Sequence, residues 1–453
     1  MQKWWQNPFE RKSVLLICFL FFGGFLAANR LHNALCEKVI HFPCVRFWPI
    51  SVVLLRVPPN IDYPNALHIA VAIGSIILLL IALRTLHHWH FRIAMVFIFG
   101  LLLILTSTLT HGFEFGFARS VAGMGVAQYE YYNDAIQIDD PYAFLQEFNR
   151  LQPNLYVHSR THPPFAVLAF YYLNVLLQGP GRIALTIAVL STCLSAYCFQ
   201  KLFSREFSNN VANSIVFVYL LIPAVQIYYS ASLDALIAAC GIGSLIFLIS
   251  NSRTAWTISI LCTILFSLFS FGFLFLLPVI ALFELWEYRS IRRSILAISS
   301  IALVHLLVYW ITEFNYLDSF LTASKLENPN GFKLLSSPET YWMTRIEGIS
   351  EVAFFLGPFL LILLFRGFQR MKVSTPLMKI SALGIASFFL MLLTGAYRTG
   401  ETARAALFIY PFLLIPIGYE IERLHTDNRS YNTLAWMVFI QTLLMQLVGD
   451  YFW

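Results

Sequence analysis

The segment of this chain best equipped for chemistry is the polar stretch 129–164, which is acidic at its start and basic at its end. Glu130 and Asp134 lie near the start, and Arg160 and His162 lie near the end. A carboxylate can act as a general base and take a proton from an attacking hydroxyl. Arginine and histidine can neutralise a departing phosphate, a group that the fork of arginine fits well. The residue types therefore favour a transfer reaction with an anionic leaving group.

The residues alone leave the identity of the base open. Asp134 follows Glu130 by four positions, so a helix here would place both carboxylates on one face. Asp139 and Asp140 are further candidates. Asp140 precedes a proline, however, and Asp-Pro is also typical of a helix start with the aspartate as N-cap. We expect Glu130 or Asp134 to be the base, and Asp140 either to cap a helix or to contact substrate.

Two later stretches add polar groups at the edges of apolar runs. Tyr229 and Asp234 precede one run, and Arg398, Glu401 and Arg404 precede another. An arginine at the mouth of a membrane span is costly to bury without a partner. Arg404 is therefore expected either to pair with Glu401 or to face a phosphate, with Arg398 as a second phosphate ligand. Asp234 either opens a helix as an N-terminal acid or binds substrate, for which Tyr229 and Glu401 are also candidates.

The elements that must position these groups lie in a membrane. The chain has 453 residues, of which 58% are hydrophobic and 12% charged, and its mean hydropathy is +0.69. An ordinary soluble protein is about 25% charged. The net charge of +6 is scattered, without a basic run, and does not predict a nucleic-acid partner. The composition predicts an all-α polytopic membrane protein whose main partner is the lipid bilayer.

About 13 apolar windows are long enough to cross a hydrocarbon layer roughly 30 Å thick. These windows lie near 13–29, 66–84, 92–110, 182–200, 211–228, 234–250, 255–270, 273–287, 294–312, 350–366, 376–395, 403–421 and 433–450. The pair of windows around Gly272 could instead be one long broken helix. The windows divide the chain into an N-terminal two-span extension (1–91), a module (92–421) whose large outer loop (111–181) contains the candidate catalytic residues, and a C-terminal span (422–453).

Charge decides which side of the membrane each loop faces. The segment 165–178 is apolar but short. If it does not cross, the basic N-terminus shares a side with the later basic loops, as the positive-inside rule requires. We therefore expect a cytoplasmic N-terminus, an outward-facing loop 111–181, and an interfacial or re-entrant helix at 165–178. Phe144, Phe148 and Leu151 predict a second, amphipathic interfacial helix. Cys36 and Cys44 could form a disulfide if their loop lies outside the cytoplasm.

Three motifs resemble those of a known group of enzymes. They are His-Ser-Arg-Thr-His-Pro-Pro at 158–164, the Pro…Tyr…Asp pattern from Pro223 to Asp234, and Gly-Glu-Thr-Ala-Arg at 400–404. In this order they resemble the GT-C superfamily of polyprenyl-phosphate-dependent membrane glycosyltransferases, especially bacterial relatives of protein O-mannosyltransferases and aminoarabinose transferases. The resemblance implies a catalytic carboxylate in the first large outer loop, and Glu130-Tyr131 is similar to the Glu-Tyr pair of some relatives.

The resemblance implies an inverting glycosyltransferase on the outer face of a bacterial plasma membrane. It would move a monosaccharide from a polyprenyl-phosphate donor to a hydroxyl of a lipid, glycan or protein. No cofactor is expected; Asp139-Asp140 would permit a divalent metal, but none is predicted. The alternative is a transporter or flippase of lipid-linked sugars. Transporters place ionisable groups within their spans, and the apolar windows here contain few, which favours the enzyme.

Overall fold

A computed structural model of the protein describes residues 8–38, 48–50, 54–55, 65–123, 130–246, 249–250, 252–370, 375–397 and 402–451. Within these ranges the chain is helical except for one pair of two-residue strands, so the prediction of an all-α membrane protein is confirmed. The predicted roles of Arg398 and Glu401 lie outside the described residues. So does the predicted pairing of Cys36 with Cys44.

The helices before residue 204 form the N-terminal part of the bundle and the large loop. They are α1 (Arg11–Lys38), α2 (Ala66–His88), α3 (Ile93–Leu109), α4 (Arg119–Ala122), α5 (Tyr131–Ala135), α6 (Pro141–Leu151), α7 (Val157–Arg160), α8 (Pro164–Leu177) and α9 (Pro180–Phe203). A π-helical turn, Glu114–Ala118, connects α3 to α4. A 3₁₀ turn, Gln152–Asn154, follows α6.

The remaining helices complete the bundle. They are α10 (Asn209–Leu221), α11 (Pro223–Tyr228), α12 (Leu233–Leu245), α13 (Arg253–Phe269), α14 (Leu276–Tyr288), α15 (Arg292–Thr312), α16 (Tyr316–Glu327), α17 (Lys333–Ser336), α18 (Pro338–Leu356), α19 (Pro358–Arg370), α20 (Pro376–Leu393), α21 (Thr402–Ala405), α22 (Tyr410–His425) and α23 (Asn428–Val448). Two 3₁₀ turns, Phe271–Phe275 and Leu407–Ile409, precede α14 and α22. Strands β1 (Leu54–Leu55) and β2 (Gly449–Asp450) pair antiparallel.

The number of membrane spans is smaller than predicted. Seven helices of the described ranges are long and apolar enough to cross a bilayer: α1, α2, α9, α14 with its preceding turn, α15, α20 and α23. Two bent pairs, α3 with 114–122 (110°) and α18 with α19 (101°), raise the number to nine if each pair is one span. The chain is thus an integral membrane protein with seven to nine candidate spans, and the prediction of about 13 is wrong.

The error arises because hydropathy averages composition and does not detect where a helix breaks. Helices α10 and α12 have 13 residues each and α13 has 17, fewer than the roughly 20 needed to span. The predicted window 211–228 includes Pro223, which begins α11. The window 350–366 includes the Gly357-Pro358 bend between α18 and α19. Proline cannot continue the hydrogen-bond ladder of a helix, so one apolar window becomes two short helices.

Helix α6 begins where the sequence predicts, but its apolar face has another partner. The Asp140 side chain accepts a hydrogen bond from the Tyr142 N–H at 2.8 Å, with Pro141 in the first helical position. Phe144 and Phe148 are buried, and Phe148 contacts the Phe314 ring edge-on at 5.6 Å. The apolar stripe therefore packs against the protein, which corrects the expectation that it lies on the bilayer. Helix α8 forms at the predicted interfacial segment and packs against α5 and α7.

Helices α19, α20 and α22 approach one another closely around Pro416, which lies inside α22. Proline has no N–H, so the carbonyl of Phe412 one turn earlier has no helical donor. The Ser381 hydroxyl of α20 donates to that oxygen at 2.7 Å. A Cβ atom on Gly367 of α19 would lie 2.2 Å from the Pro416 carbonyl oxygen, so glycine is required for this contact between α19 and α22.

Candidate functional site

Arg404 of α21 is buried at the meeting point of three distant stretches of the chain. Its Nη2 donates to both carboxylate oxygens of Glu130, at 3.0 and 3.3 Å, and its Nε donates to Oδ2 of Asp234 at 3.3 Å. The Arg404 side chain is only 7% exposed. Its Nη2 also lies 3.4 Å from Nδ1 of His158. We name Glu130, His158, His162, Asp234 and Arg404 the Arg404 cluster.

Glu130 reaches Arg404 because it lies just before a helix rather than within one. It occupies the N-cap position of α5 with extended backbone angles (φ −85°, ψ 150°), and its side chain makes no cap hydrogen bond. The next residue, Tyr131, stacks on Phe170 of α8 at 5.6 Å and meets His162 edge-on at 5.3 Å. These ring contacts fix the start of α5 and leave the carboxylate directed at Arg404.

Asp234 is positioned by the break between α11 and α12. Ser232 is the N-cap of α12 and accepts a hydrogen bond from the Asp234 N–H at 3.0 Å. Its hydroxyl donates to Asp234 Oδ2 at 2.6 Å, the same oxygen that contacts Arg404. Asp234 is thus an N-terminal helix acid, as one of its two expected roles requires, and it also belongs to the Arg404 cluster. Its expected role in binding substrate stays a prediction.

Hydrogen bonds assign the tautomers of the two histidines, which come from α7 and the turn after it. Nδ1 of His162 is 3.0 Å from the carbonyl oxygen of His158. A carbonyl oxygen only accepts, so Nδ1 of His162 carries a proton and its Nε2 is an acceptor. Arg404 only donates, so Nδ1 of neutral His158 is the acceptor and its Nε2 carries the proton. The cluster therefore presents both a donor and an acceptor imidazole nitrogen.

Burial shifts the acid–base properties of these groups toward their neutral forms. Burial raises the pKa of Glu130 above its usual range, although the guanidinium of Arg404 opposes this shift. Burial, followed by the charge of Arg404, holds the pKa of His158 well below its usual range. Burial lowers the pKa of His162 as well, against the attraction of Asp234. At neutral pH the cluster thus combines one guanidinium, two neutral imidazoles and two carboxyl groups, and burial raises the pKa of the one that belongs to Glu130.

Asp134, the other predicted base, lies outside the Arg404 cluster. Its Oδ2 accepts a hydrogen bond from the Tyr156 N–H at 3.1 Å, just before α7 begins, and burial raises its pKa. Glu130 precedes α5 in extended conformation and Asp134 lies inside it, so the two carboxylates do not share a helical face as expected. Asp134, Asp139 and Asp140 instead line an open cleft of about 350 Å³ beside α6.

The other predicted site residues are placed differently. The Arg160 carbonyl accepts a hydrogen bond from Gln152, and its buried Nε has no hydrogen-bond partner among the described residues. Tyr229 is fully buried, and its hydroxyl bonds to Ser195 and Tyr219, both at 2.7 Å. Tyr229 therefore belongs to a packing network with α9 and α10.

Two buried acids of α18 were missed by the sequence analysis. The Glu351 carboxylate accepts a hydrogen bond from the Thr402 N–H at 2.9 Å and so holds the start of α21, two residues before Arg404. Glu347 is 1% exposed, and its Oε1 has no hydrogen-bond partner among the described residues. The sequence feature that could have identified them is their spacing: two acids four positions apart in an apolar segment. Burying a charged side chain in such a segment costs free energy, so acids there usually have a function.

Among the described residues, no group of three or more histidine, cysteine, aspartate or glutamate side chains is arranged to hold a metal ion. Comparison with known proteins adds no relative: no protein-family model matches this chain, and no curated protein matches its sequence. The resemblance to membrane glycosyltransferases therefore rests on the three motifs, each of which contributes to the Arg404 cluster: the first His158 and His162, the second Asp234, and the third Arg404.

Proposed function

We propose that this protein is an inverting glycosyltransferase that moves a monosaccharide from a polyprenyl-phosphate donor to a hydroxyl of a lipid, glycan or protein acceptor. The reaction would take place on the outer face of a bacterial plasma membrane. The observation that carries the proposal is the buried Arg404, held between Glu130 and Asp234 with His158 beside it. The proposal is supported because this arrangement brings together a guanidinium, which is suited to bind a phosphate, and a carboxylate, which is suited to accept a proton.

Arg404 is suited to bind the donor phosphate by exchange of partners. A guanidinium has five N–H donors in a fixed fork, so Arg404 can keep Asp234 and transfer its Nη2 contact from Glu130 to a phosphate oxygen. The Nε2–H of His158 can donate to the same phosphate. Arg160, whose buried Nε lacks a partner among the described residues, is a further phosphate donor in this proposal. These contacts strengthen as charge develops on the departing phosphate.

Glu130, released from Arg404, would then act as the base. The acceptor oxygen forms a bond to the anomeric carbon while its proton passes to the Glu130 carboxylate. The bond from the anomeric carbon to the phosphate oxygen breaks, and its electron pair leaves with the phosphate. Attack opposite the leaving group inverts the anomeric centre. The raised pKa of Glu130 suits this role because a base is most efficient when its pKa lies near the working pH.

The test is a transfer assay with the full-length protein in liposomes, supplied with polyprenyl-phosphate sugars and membrane-extract acceptors. Loss of a general base typically costs about 10²- to 10⁴-fold in rate, which is the loss expected for Glu130→Gln. Glu147→Gln, an exposed acid on α6, is the matched control and should keep full activity. Asp134→Asn tests the second candidate base. Undiminished transfer by both the Glu130 and the Asp134 variants would refute the assignment.

The alternative, a transporter or flippase of lipid-linked sugars, is favoured by one observation. Glu347 is buried in α18, one arm of a candidate span bent by 101°, and ionisable groups in broken helices are typical of transporters. In proteoliposomes a flippase would move the lipid-linked sugar across the bilayer without consuming it. Glu347→Gln would stop this movement and Glu130→Gln would not, the reverse of the pattern expected for the transferase.

A further inference from the structure

Three arginines surround one buried carboxylate where α19 meets α22. Glu420 of α22 contacts Arg366 at 2.9 Å and Arg370 at 3.0 Å, both on α19. Arg423, three residues further along α22, lies 3.6 Å from the same carboxylate. We name these four residues the Glu420 cluster. The Glu420 side chain is 3% exposed, whereas those of Arg370 and Arg423 are 40% and 61% exposed.

Helix packing builds this cluster. Arg366 and Arg370 are four residues apart and therefore share one face of α19, as Glu420 and Arg423 share one face of α22. The two faces can meet because Gly367 lies directly against the carbonyl of Pro416, where any larger residue would collide. The sequence thus brings three guanidinium groups to one carboxylate by a contact that only glycine permits.

The Glu420 cluster has an excess of positive charge and of hydrogen-bond donors. Within the four residues of the cluster, one carboxylate faces three guanidinium groups. Each guanidinium carries five N–H donors, while a carboxylate offers about four lone-pair sites. Glu422, the next acid on α22, is two residues from Glu420 and therefore points to another face of the helix. The uncompensated donors belong mainly to Arg370 and Arg423, which face the surface.

The position of the Glu420 cluster indicates which kind of anion could bind to its exposed arginines. Arg366 and Arg370 lie in the last two turns of α19, one arm of a candidate membrane span. Arginine side chains near the end of a membrane helix reach the lipid–water interface, and those of Arg370 and Arg423 are exposed there. The Glu420 cluster would therefore lie at the level of the lipid headgroups.

We propose that Arg370 and Arg423, supported by the buried Arg366–Glu420 pair, form a binding site for a phosphate, which the position of the site assigns to an anionic lipid headgroup. Arginine pairs are well matched to phosphate because each guanidinium can donate two parallel hydrogen bonds. Basic pockets between membrane helices on the cytoplasmic side bind anionic lipid headgroups in the same way. The site is independent of the chemistry proposed for the Arg404 cluster.

The test compares lipid binding by native mass spectrometry of the full-length protein in detergent, titrated with phosphatidylglycerol or phosphatidylcholine. A basic residue near a lipid surface contributes about 1 kcal/mol, or about fivefold in affinity. Arg370→Gln combined with Arg423→Gln should therefore weaken phosphatidylglycerol binding about 25-fold. Arg289→Gln combined with Arg292→Gln removes the same charge from another exposed pair and should leave that binding unchanged. Equal phosphatidylglycerol binding by the wild type and the Arg370/Arg423 variant would overturn the proposal.

Two further measurements complete the test. One distinguishes a lipid phosphate from free inorganic phosphate, and the other excludes misfolding as the cause of weaker binding. Inorganic phosphate should raise the unfolding temperature far less than phosphatidylglycerol does. An equal rise, lost in the Arg370/Arg423 variant, would keep the phosphate site but overturn its assignment to a lipid. Glu420→Gln leaves the three arginines less neutralised, so the folded fraction should bind phosphatidylglycerol more tightly than the wild type. Weaker binding by folded Glu420→Gln protein would overturn the charge-excess argument.

Discussion

Arg404 is charged and buried, so its charge loses the stabilisation that hydration would give it. Its two carboxylate partners, Glu130 and Asp234, are buried at the same cost in hydration. A buried ion pair is held together by geometry, and removing one partner leaves the other charge uncompensated. Each member of the Arg404 cluster therefore depends on the others. This dependence can be measured as stability, whatever reaction the site performs.

Replacing Arg404 with methionine should destabilise the protein by about 3–5 kcal/mol, because Glu130 and Asp234 lose their cation while remaining buried. Adding Glu130→Gln to this variant should restore part of the loss, since one of the two stranded charges is then removed. Unfolding in detergent, followed by intrinsic fluorescence, measures both changes. Strictly additive destabilisation by the two substitutions would show that Arg404 and Glu130 are not coupled.

His158 makes the stability depend on pH in a predictable direction. Its pKa in the folded protein is held well below the ordinary value of 6.5, so the unfolded chain binds a proton that the folded protein does not. Stability should therefore fall as pH decreases below about 6.5, by at most about 1.4 kcal/mol per pH unit from this group. Unfolding temperatures between pH 7.5 and 5.5 measure the effect.

His158→Asn keeps an acceptor for Arg404 but does not titrate, so its stability should fall less over this range than that of the wild type. The remaining titration of Glu130 and His162 is common to both proteins and cancels in the comparison. His88→Asn, at the exposed end of α2, is the control and should behave like the wild type. A pH dependence unchanged in His158→Asn would contradict the argument.

The sequence identified most members of the Arg404 cluster but not their pairing. Glu130, Asp234 and Arg404 each stood out as a charged residue beside an apolar run. Arg404 was expected to pair with its neighbour in sequence, Glu401, which lies outside the described residues, or to face a phosphate; the structure pairs it with carboxylates from two other parts of the chain. Such contacts depend on how the helices pack. The motif and the nearby Arg160 favour His162 over His158, but the structure brings His158 to within 3.4 Å of Arg404.

At the scale of elements, one of the shortest helices carries the side chain at the centre of the Arg404 cluster. Helix α21 is four residues long, too short to be stable by its own hydrogen bonds. The Glu351 carboxylate of α18 accepts a hydrogen bond from the first N–H of α21, that of Thr402. Gly348, also of α18, packs so closely against α21 that a Cβ atom added to it would lie 2.9 Å from the Thr402 hydroxyl. Helix α18 therefore determines where Arg404 lies.

Glu351→Ala should cost about 1–3 kcal/mol, because it leaves the buried Thr402 N–H without an acceptor, and it should displace Arg404 from Glu130. Glu351→Gln retains an acceptor oxygen and should lose much less. Unfolding measurements on both variants give the difference. Glu347→Gln, one turn earlier on α18, is the control for the loss of a buried acid. Equal stability of the alanine and glutamine variants would show that this hydrogen bond does not hold α21.

Local sequence signals predicted helix starts better than helix breaks. The Asp-Pro start of α6 depends on one side chain and its own backbone, and it forms as expected. The bend at Gly357-Pro358 interrupts an apolar run of ordinary length, which a hydropathy window reads as continuous. Whether a proline ends a helix or only kinks it depends on which neighbours satisfy the freed carbonyl, as Ser381 does for Phe412.

At the scale of the whole molecule, the topology expected from charge places the two charged clusters on opposite sides of the membrane. This requires α22 with its preceding turn to cross the bilayer in addition to the seven to nine candidate spans. Asp139 lies in the same loop as Glu130, Thr426 directly follows α22, and both residues are exposed. In a background without the seven natural cysteines, a membrane-impermeant maleimide should label Asp139→Cys in intact cells. It should label Thr426→Cys only after the cells are permeabilised. Labelling of both positions from the same side would refute this topology.

The class of the molecule follows from composition, but the count of its spans does not. A chain so apolar and so poor in charge is stable only when lipid surrounds much of it. The prediction of an all-α membrane protein needs only this composition and no detail of where each helix begins or ends. The helices α10, α12 and α13 are apolar but too short to be counted as spans. Residues of α10 and α12 are almost entirely buried, so their hydrophobicity reflects contact with protein as much as contact with lipid.

Helix α23 contacts parts of the chain that are synthesised well before it. Its Tyr431 and Thr442 hydroxyls donate to the carbonyls of Ser214 and Leu221, and its Gln446 meets buried His111 at 2.5 Å. Strand β2, which follows it, pairs with β1 ahead of α2. The ribosome delivers α23 after every helix that it contacts. The earlier helices must therefore remain in the bilayer without these contacts until α23 is synthesised. The time that translation takes thus affects how this protein assembles.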